Sequence, residues 1–340
     1  MKSIVQHIDT APVADASASE LLAALRPRGE LSPYYQLVSG AALFPQFTAV
    51  AAGLRPAMDC WVPARNLDGF TKFAQGLGLA VSYDCAFRQL SVESHDRVVG
   101  VETLCTTFAE GIRVENAQPG DCVHTFVADS KATAERARAC GWYPVVVKDR
   151  LFHKPVVDHL EFGRLLGYPD CCIAFFGKSN NWNKTNSYAE AYLKTPWRCD
   201  HRTNCFGKNL GFSLTFHIPC RFDCERTIDQ SNALLKFLWQ HEPDYAAACL
   251  KLLRKPVLSL NEREIILLDG TFLTKDRVIY RDALDLFSTP KDVVQTIKSG
   301  NVVELRGQYV LVFHDSDLVD VLECRCDRYG PRIPLLIDWT

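Results

Sequence analysis

Two short stretches of the chain combine an apolar run, a proline and closely spaced cysteines. They are LLGYPDCCIAFF at 165–176 and LGFSLTFHIPCRFDCE at 210–225. The candidate ligands within them are Cys171, Cys172, His217, Cys220 and Cys224. Thiolates and imidazoles bind zinc and iron–sulfur clusters. The two stretches together therefore predict one metal centre to which both contribute ligands.

Both stretches have the features of a helix start. Pro169 and Pro219 suit the first turn of a helix, where the missing N–H costs no hydrogen bond. A helix that begins at Pro219 would place Cys220 and Cys224 one turn apart on the same face. The N-terminus of a helix carries partial positive charge and free N–H groups, which stabilise thiolates. Before the second helix, the alternation of apolar and polar residues at 212–216 predicts a strand.

The ligand set is predicted as Cys220, Cys224 and one of the adjacent pair Cys171 and Cys172, because neighbouring cysteines rarely both reach one metal. Three thiolates would hold an iron–sulfur cluster of the 4Fe–4S type and leave one iron open for a substrate. His217 is predicted as a fourth ligand or as a hydrogen-bond donor to a ligand, and as a candidate catalytic residue.

A polar segment rich in asparagine and aromatic residues separates the two stretches, at 177–211. Long loops inside a compact domain are usually functional or disordered. Its Cys199 and Cys205 are further candidate ligands. The segment is predicted to cover the metal centre and to bind a small polar substrate there.

Free cysteine is also a common buried residue that packs as a small hydrophobe, so a purely structural role stays open for every candidate ligand. That role is the prediction for the scattered cysteines, Cys60, Cys85, Cys105, Cys122 and Cys140. Cys324 and Cys326 have the spacing of two side chains on one face of a strand. That spacing could bind a metal, and the pair is interpreted as a chance pair. The chain contains no Cys-x-x-Cys, so zinc ribbons and thioredoxin-like sites are excluded.

The whole sequence bounds the class of protein. The 340 residues contain 38 basic and 40 acidic side chains, a balance that argues against a dominant role on nucleic acid. Neither a signal peptide nor an apolar run of membrane-spanning length is recognisable. A cytoplasmic protein with reduced thiols is predicted, and its 14 cysteines then favour metal binding or catalysis over disulfides.

The predicted fold is α/β, with three regions. A helical N-terminal segment covers 1–55, and an α/β domain that holds the cysteine site covers 56–255. A small β-rich domain follows at 256–340, after Pro256. Within it, Asp269 and Gly270 between two apolar runs predict a hairpin turn.

The two cysteine stretches resemble the signature motifs of a prokaryotic family known as domain of unknown function 483. The matching residues are GYPDCC with a following Phe-Phe at 167–176, and HIPCRFDC at 217–224. The resemblance covers about 120–240. It implies that the five candidate ligands act as one unit, and it implies no particular reaction. The β-rich C-terminal region lies outside it.

Three functions follow from these residues. The first is an iron–sulfur enzyme that performs sulfur transfer, dehydration or redox chemistry on a small polar molecule. The second is a zinc protein with three cysteines and one histidine as ligands, either structural or catalytic. The third is a thiol enzyme without a cofactor, in which a cysteine is the nucleophile and His217 the base.

Overall fold

The structure, a computed structural model, describes residues 16–38, 43–83, 85–89, 109–147, 150–155, 158–179, 186–196, 198–261, 264–287, 289–324 and 334–340. Cys105 and Cys326 lie outside these ranges. No helix in the described ranges is long and apolar enough to cross a membrane.

Helices and strands occur mostly in runs along the described ranges, with five consecutive α-helices between 159 and 253. The helices are α1 (Ala18–Ala24), α2 (Pro33–Leu37), α3 (Phe44–Ala51), α4 (Leu67–Gly76), α5 (Lys131–Gly141), α6 (His159–Leu165), α7 (Asp170–Ser179), α8 (Ser187–Leu193), α9 (Glu225–His241), α10 (Pro243–Leu253) and α11 (Lys291–Ser299). The strands are β1 (Ala57–Pro63), β2 (Ala80–Ser82), β3 (Ala86–Gln89), β4 (Ala109–Ile112), β5 (Cys122–Ala128), β6 (Trp142–Val147), β7 (Arg150–Pro155), β8 (Val257–Ser259), β9 (Ile265–Thr274), β10 (Arg277–Asp285), β11 (Val302–Arg306), β12 (Tyr309–His314), β13 (Asp317–Glu323) and β14 (Leu335–Ile337).

The N-terminal sheet has the strand order β1-β5-β3-β4-β7-β6, and β2 also pairs with β5. Strand β5 reads CVHTFVA and is buried along most of its length, and other strands pair with it on both edges. Its pairing with β1 is antiparallel and in full register. Helix α5 packs on β5 and β2. The predicted α/β class is confirmed.

The C-terminal sheet runs in the order β13-β12-β11-β10-β9-β8-β14, with every pair antiparallel. Helix α11 contributes Ile297 to a core of valine, leucine and isoleucine on one face of this sheet. Pro256 directly precedes β8, the first strand of this sheet along the chain. The predicted β-rich C-terminal region is thereby confirmed.

The predicted hairpin turn at Asp269 and Gly270 is wrong. Both residues lie inside β9, and the chain turns instead after Thr274. A Cβ on Gly270 would come within 1.9 Å of the carbonyl oxygen of Ile279. Glycine at this position therefore allows the backbone of β10 to come close to β9. Asp269 is buried and bonded to cations, as described below.

The largest apolar cluster joins the three predicted regions. It contains Leu21 and Phe47 from the N-terminal segment, Phe212 from the central region, and Ile265 and Ile337 from the C-terminal region. The proposed division at 55 and 255 stays a prediction. Both cysteine stretches lie at the border of this cluster, where Cys220 packs against it.

The segment before Cys224 differs from its prediction. Residues 212–216 are buried but do not form a strand, and no helix begins at Pro219. The chain from 217 to 223 is irregular, and α9 begins only at Glu225 with Cys224 as its N-cap residue. Tertiary contacts hold this loop in place, and local sequence pattern does not reveal them.

Candidate metal centre

Four cysteine sulfurs converge at one point. The Sγ atoms of Cys171, Cys172, Cys220 and Cys224 all lie within 4.8 Å of one another. Cys171 is 3.9 Å from Cys172, and each of these two sulfurs is 3.8 Å from that of Cys224. The predicted convergence of the two stretches is confirmed. Both members of the adjacent pair belong to the group, which goes beyond the prediction that only one of them would.

The Gly-Tyr-Pro sequence positions the first two cysteines. Helix α6 ends in a Schellman motif, in which Tyr168 N–H bonds to Gly163 O and Gly167 N–H to Arg164 O, both at 2.9 Å. Gly167 has φ of +70°, the left-handed conformation that this motif requires. The chain reverses direction there, and Pro169 leads directly into α7. Both cysteines are thereby placed in the first turn of that helix.

The loop that carries Cys220 is anchored by its neighbour Phe222. The side chain of Phe222 is fully buried against Phe206 and Trp339. Its N–H donates to Thr195 Oγ1 at 2.8 Å, and its carbonyl accepts from Asp200 N–H at 2.7 Å. With its backbone held on both sides, the loop presents Cys220 to the other sulfurs without helical structure.

Helix α9 supplies the fourth cysteine and a hydroxyl. Cys224 is the N-cap residue, and its carbonyl accepts the first helical hydrogen bond from Ile228 N–H at 2.9 Å. Thr227, one turn further, lies with Oγ1 at 3.5 Å from the sulfur of Cys172. The Cys172 sulfur also accepts from Cys220 N–H at 3.4 Å. Two polar donors thus face one of the four sulfurs.

Burial and charge set the state of these thiols. Cys172 is 2% and Cys224 5% exposed, while Cys171 and Cys220 are partly exposed. Hydrogen bonds from the thiols of Cys172 and Cys220 lower the pKa of Cys224. The adjacent sulfurs of Cys220 and Cys224 raise the pKa of Cys172. Four thiolates this close repel one another strongly, so a bound cation is what allows all four to lose their protons.

His217 lies beside the sulfur group but is not part of it. Its Nε2 is 3.1 Å from Thr227 Oγ1, and its ring packs on that of Tyr168 at 4.9 Å between centroids. Burial, with the charge of Arg55 adding to it, lowers the pKa of His217 to about 3. The imidazole is therefore neutral at neutral pH. Two hydrogen bonds, through the hydroxyl of Thr227, connect His217 to the candidate ligand Cys172.

Arg55 was not anticipated from the sequence. Its side chain is buried between the rings of Tyr168 and Phe216, at 5.5 and 5.0 Å from their centroids. It donates to the carbonyl of Leu166 at 3.2 Å, at the C-terminal end of α6, where the helix dipole favours a cation. This arginine stabilises the turn at Gly167, which precedes the two cysteines of α7. A lone arginine in a sequence gives no signal of that role.

The further candidate ligands do not join the group. Cys199 and Cys205 are buried, and burial raises the pKa of each to about 12. The described part of their segment packs into the core, with Asn204 bonded to the carbonyl of Leu253 at 3.0 Å. Asn186 caps α8. In the described ranges, these asparagines and aromatic side chains support the fold, and the prediction of a substrate-binding cover stays untested.

Of the scattered cysteines that the structure describes, Cys60 and Cys85 are buried, as the structural interpretation predicts, and Cys122 and Cys140 are partly buried. Cys60 and Cys249 are almost fully enclosed, and burial raises the pKa of both thiols. Neither belongs to a group of potential metal ligands among the described residues.

No protein-family model, no curated protein and no solved structure matches this chain. The resemblance to domain of unknown function 483 therefore stays a prediction.

Proposed function

We propose that this chain is a metal-binding protein in which Cys171, Cys172, Cys220 and Cys224 hold a single tetrahedral metal ion, and that the ion is zinc. One observation carries the proposal, the spacing of the sulfurs. Zinc binds thiolates at about 2.3 Å, and a tetrahedron of that size has edges of about 3.8 Å. Of the six distances between the four sulfurs, three are 3.8, 3.8 and 3.9 Å, and the three that involve Cys220 are no longer than 4.8 Å.

The same spacing weighs against the iron–sulfur prediction. Cys171, Cys172 and Cys224 form a triangle with nearly equal sides, which is one face of such a tetrahedron. In a 4Fe–4S cluster each iron takes one protein thiolate, and in a 2Fe–2S cluster each iron takes two. Neither cluster places three protein sulfurs around one metal atom. A cluster would therefore require these side chains to move apart.

Four thiolates fill the coordination shell of zinc, as in structural zinc sites. The ion would join the start of α7 to the start of α9 and hold the irregular loop between Phe216 and Cys224. Sulfur transfer, dehydration or redox chemistry needs a free coordination position, which this ligand set provides only if one cysteine leaves. Metal binding is therefore the proposed function, and an enzyme with a small polar substrate stays a prediction.

The test is the metal content of the protein purified anaerobically without chelator. We expect one zinc per chain, no visible absorption, and a tetrahedral thiolate spectrum after exchange of zinc for cobalt(II). Cys224→Ser should lose the metal. Cys60→Ser is the matched control, since Cys60 is equally buried in β1 and should keep it. Several iron atoms per chain together with sulfide would support the cluster instead.

A further inference from the structure

The hydroxyl of Thr227 connects a candidate ligand to His217. Thr227 is 1% exposed, and its Oγ1 lies 3.5 Å from the Cys172 sulfur and 3.1 Å from His217 Nε2. Cys220 and Cys224 have the spacing of the first two cysteines of the radical-SAM cluster motif, but the position of its third cysteine, 227, is a threonine. The structure gives the same residue a role within the site.

The direction of these hydrogen bonds follows from proton count. A metal-bound thiolate has no proton and can only accept. The threonine hydroxyl has one proton and can donate it once. If the hydroxyl donates to the Cys172 sulfur, its oxygen must accept from His217, so the imidazole proton is on Nε2.

The surroundings of His217 favour this arrangement. The ring is 8% exposed and neutral, and it therefore carries one N–H. Its Nδ1 has no hydrogen-bond partner among the described residues. A bare acceptor nitrogen in an apolar setting costs less than an unpaired N–H donor, because unsatisfied donors are the rarer case in proteins. The proton is thus better placed on Nε2, where Thr227 accepts it.

We propose that Thr227 and His217 are a positioning pair for metal-bound Cys172, in which His217 Nε2–H fixes the hydroxyl of Thr227 and the hydroxyl donates to the thiolate. The inference rests on the proposed metal site and deepens it. Ligand-orienting partners of this kind typically change metal affinity by about 10–100-fold. Together with Cys220 N–H, the pair gives the Cys172 sulfur two hydrogen-bond donors.

The test uses the cobalt(II)-substituted full chain. Thr227→Val keeps the shape of the side chain and removes the hydroxyl. We expect the sulfur-to-cobalt charge-transfer band to move to longer wavelength, because a thiolate without its donor holds its electrons less tightly. Cobalt(II) affinity should fall about tenfold. Thr227→Ser restores the donor and should restore both the band and the affinity.

A double-mutant cycle tests the part played by His217. His217→Leu removes the N–H and should shift the band in the same direction as Thr227→Val, by a smaller amount. In the Thr227→Val background it should have no further effect, because His217 acts through the hydroxyl. Thr215→Val is the control, since Thr215 is also fully buried and its hydroxyl bonds to Ser231 and Arg202 away from the sulfurs.

The outcomes separate the two proposals. If the wild-type chain binds no cobalt(II) through thiolates, the metal site and the positioning pair both fail. If the wild type binds it and Thr227→Val leaves band and affinity unchanged, only the positioning pair fails. If Thr227→Val shifts the charge-transfer band by no more than Thr215→Val does, the shift reflects core disruption in general, and the positioning pair is likewise refuted.

Discussion

The sulfur of Cys172 is the most constrained atom of the site. It lies 3.8–3.9 Å from two other sulfurs and faces the Thr227 hydroxyl and the Cys220 N–H. Its side chain is 2% exposed. Solvent cannot replace these partners, so the residue tolerates little change in size or chemistry.

Replacing Cys172 with serine should abolish tight metal binding, because a hydroxyl is a poor substitute for a soft thiolate. The free energy of unfolding should fall as well, since binding to a site formed only in the folded state adds to stability. Metal per chain and thermal unfolding measure both effects. Cys249→Ser is the comparison, as Cys249 is fully buried in α10. It should lose stability and keep its metal, and equal metal loss in both variants would place the centre elsewhere.

At the scale of elements, the site depends on how α6 stops and α7 starts. The turn at Gly167 takes a positive φ, and a Cβ there would lie 3.0 Å from Pro56 Cδ. The carbonyl of Gly167 also accepts from Gln230 in α9 at 2.8 Å. One turn therefore fixes the two cysteine-bearing helices relative to each other.

Gly167→Ala should destabilise the chain by about 1 kcal/mol, because alanine is strained in the left-handed region. Metal affinity should fall together with stability, since the turn at Gly167 sets the orientation of both cysteines at the start of α7. Gly76→Ala is the control, as Gly76 lies in α4 and a Cβ there meets nothing within 4 Å. It should be neutral or slightly stabilising. Urea unfolding of both variants makes the comparison, and a Gly167→Ala variant as stable as wild type would refute the assignment.

Local pattern was sufficient for some of these elements and not for others. Pro169 predicts a helix start, and α7 begins at the next residue. Pro219 has the same local signature and begins no helix. The difference is Phe222. Its ring is buried, and its backbone bonds to Thr195 and Asp200, which lie 27 and 22 positions earlier in the chain. Such distant partners are invisible in a single sequence.

The grouping of cysteines could be predicted because residue type limits the chemistry. Their spacing around one ion could not, since it depends on the relative placement of α7 and α9. Arg55 and Thr227 were missed for a related reason. Their roles arise from contacts with the carbonyl of Leu166 and the sulfur of Cys172, and neither residue type carries a signal by itself.

At the scale of the whole molecule, Asp269 ties the N-terminal helix to the C-terminal sheet. Its carboxylate bonds to Lys255 at 2.7 Å, to Arg281 at 2.8 Å and to Ala18 N–H at 3.0 Å. The carboxylate is 1% exposed. Three parts of the chain that are distant in sequence thus meet at one buried charge.

Asp269→Asn should lower the free energy of unfolding by about 2 kcal/mol at neutral pH, as expected for lost hydrogen bonds to charged partners. The metal content should not change, because no cysteine of the centre contacts this residue. Urea unfolding and metal analysis of the same sample measure both. A loss of metal together with unchanged stability would contradict this role.

The decrease in the free energy of unfolding caused by Asp269→Asn should depend on pH. Burial acts to raise the pKa of Asp269, but Lys255, Arg281 and Ala18 N–H outweigh it and lower the pKa below 3.8. The folded chain therefore binds this proton less tightly than the unfolded chain. The carboxylate contributes its full stability above the unfolded pKa and loses it as pH falls through the folded pKa. The difference in free energy of unfolding between wild type and variant should decrease below about pH 4. A difference that stays constant with pH would refute the stabilising role of the ionised Asp269.

The central claim is that four cysteines surround one metal ion, and X-ray absorption spectroscopy at the metal edge tests it most directly. The account predicts a zinc edge with a single shell of four sulfurs at about 2.3 Å and no metal–metal scattering. Cys171→Ser should replace one sulfur of that shell with a lighter atom or empty the site. An iron edge with iron–iron scattering, or a zinc shell made mainly of nitrogen and oxygen, would contradict the account.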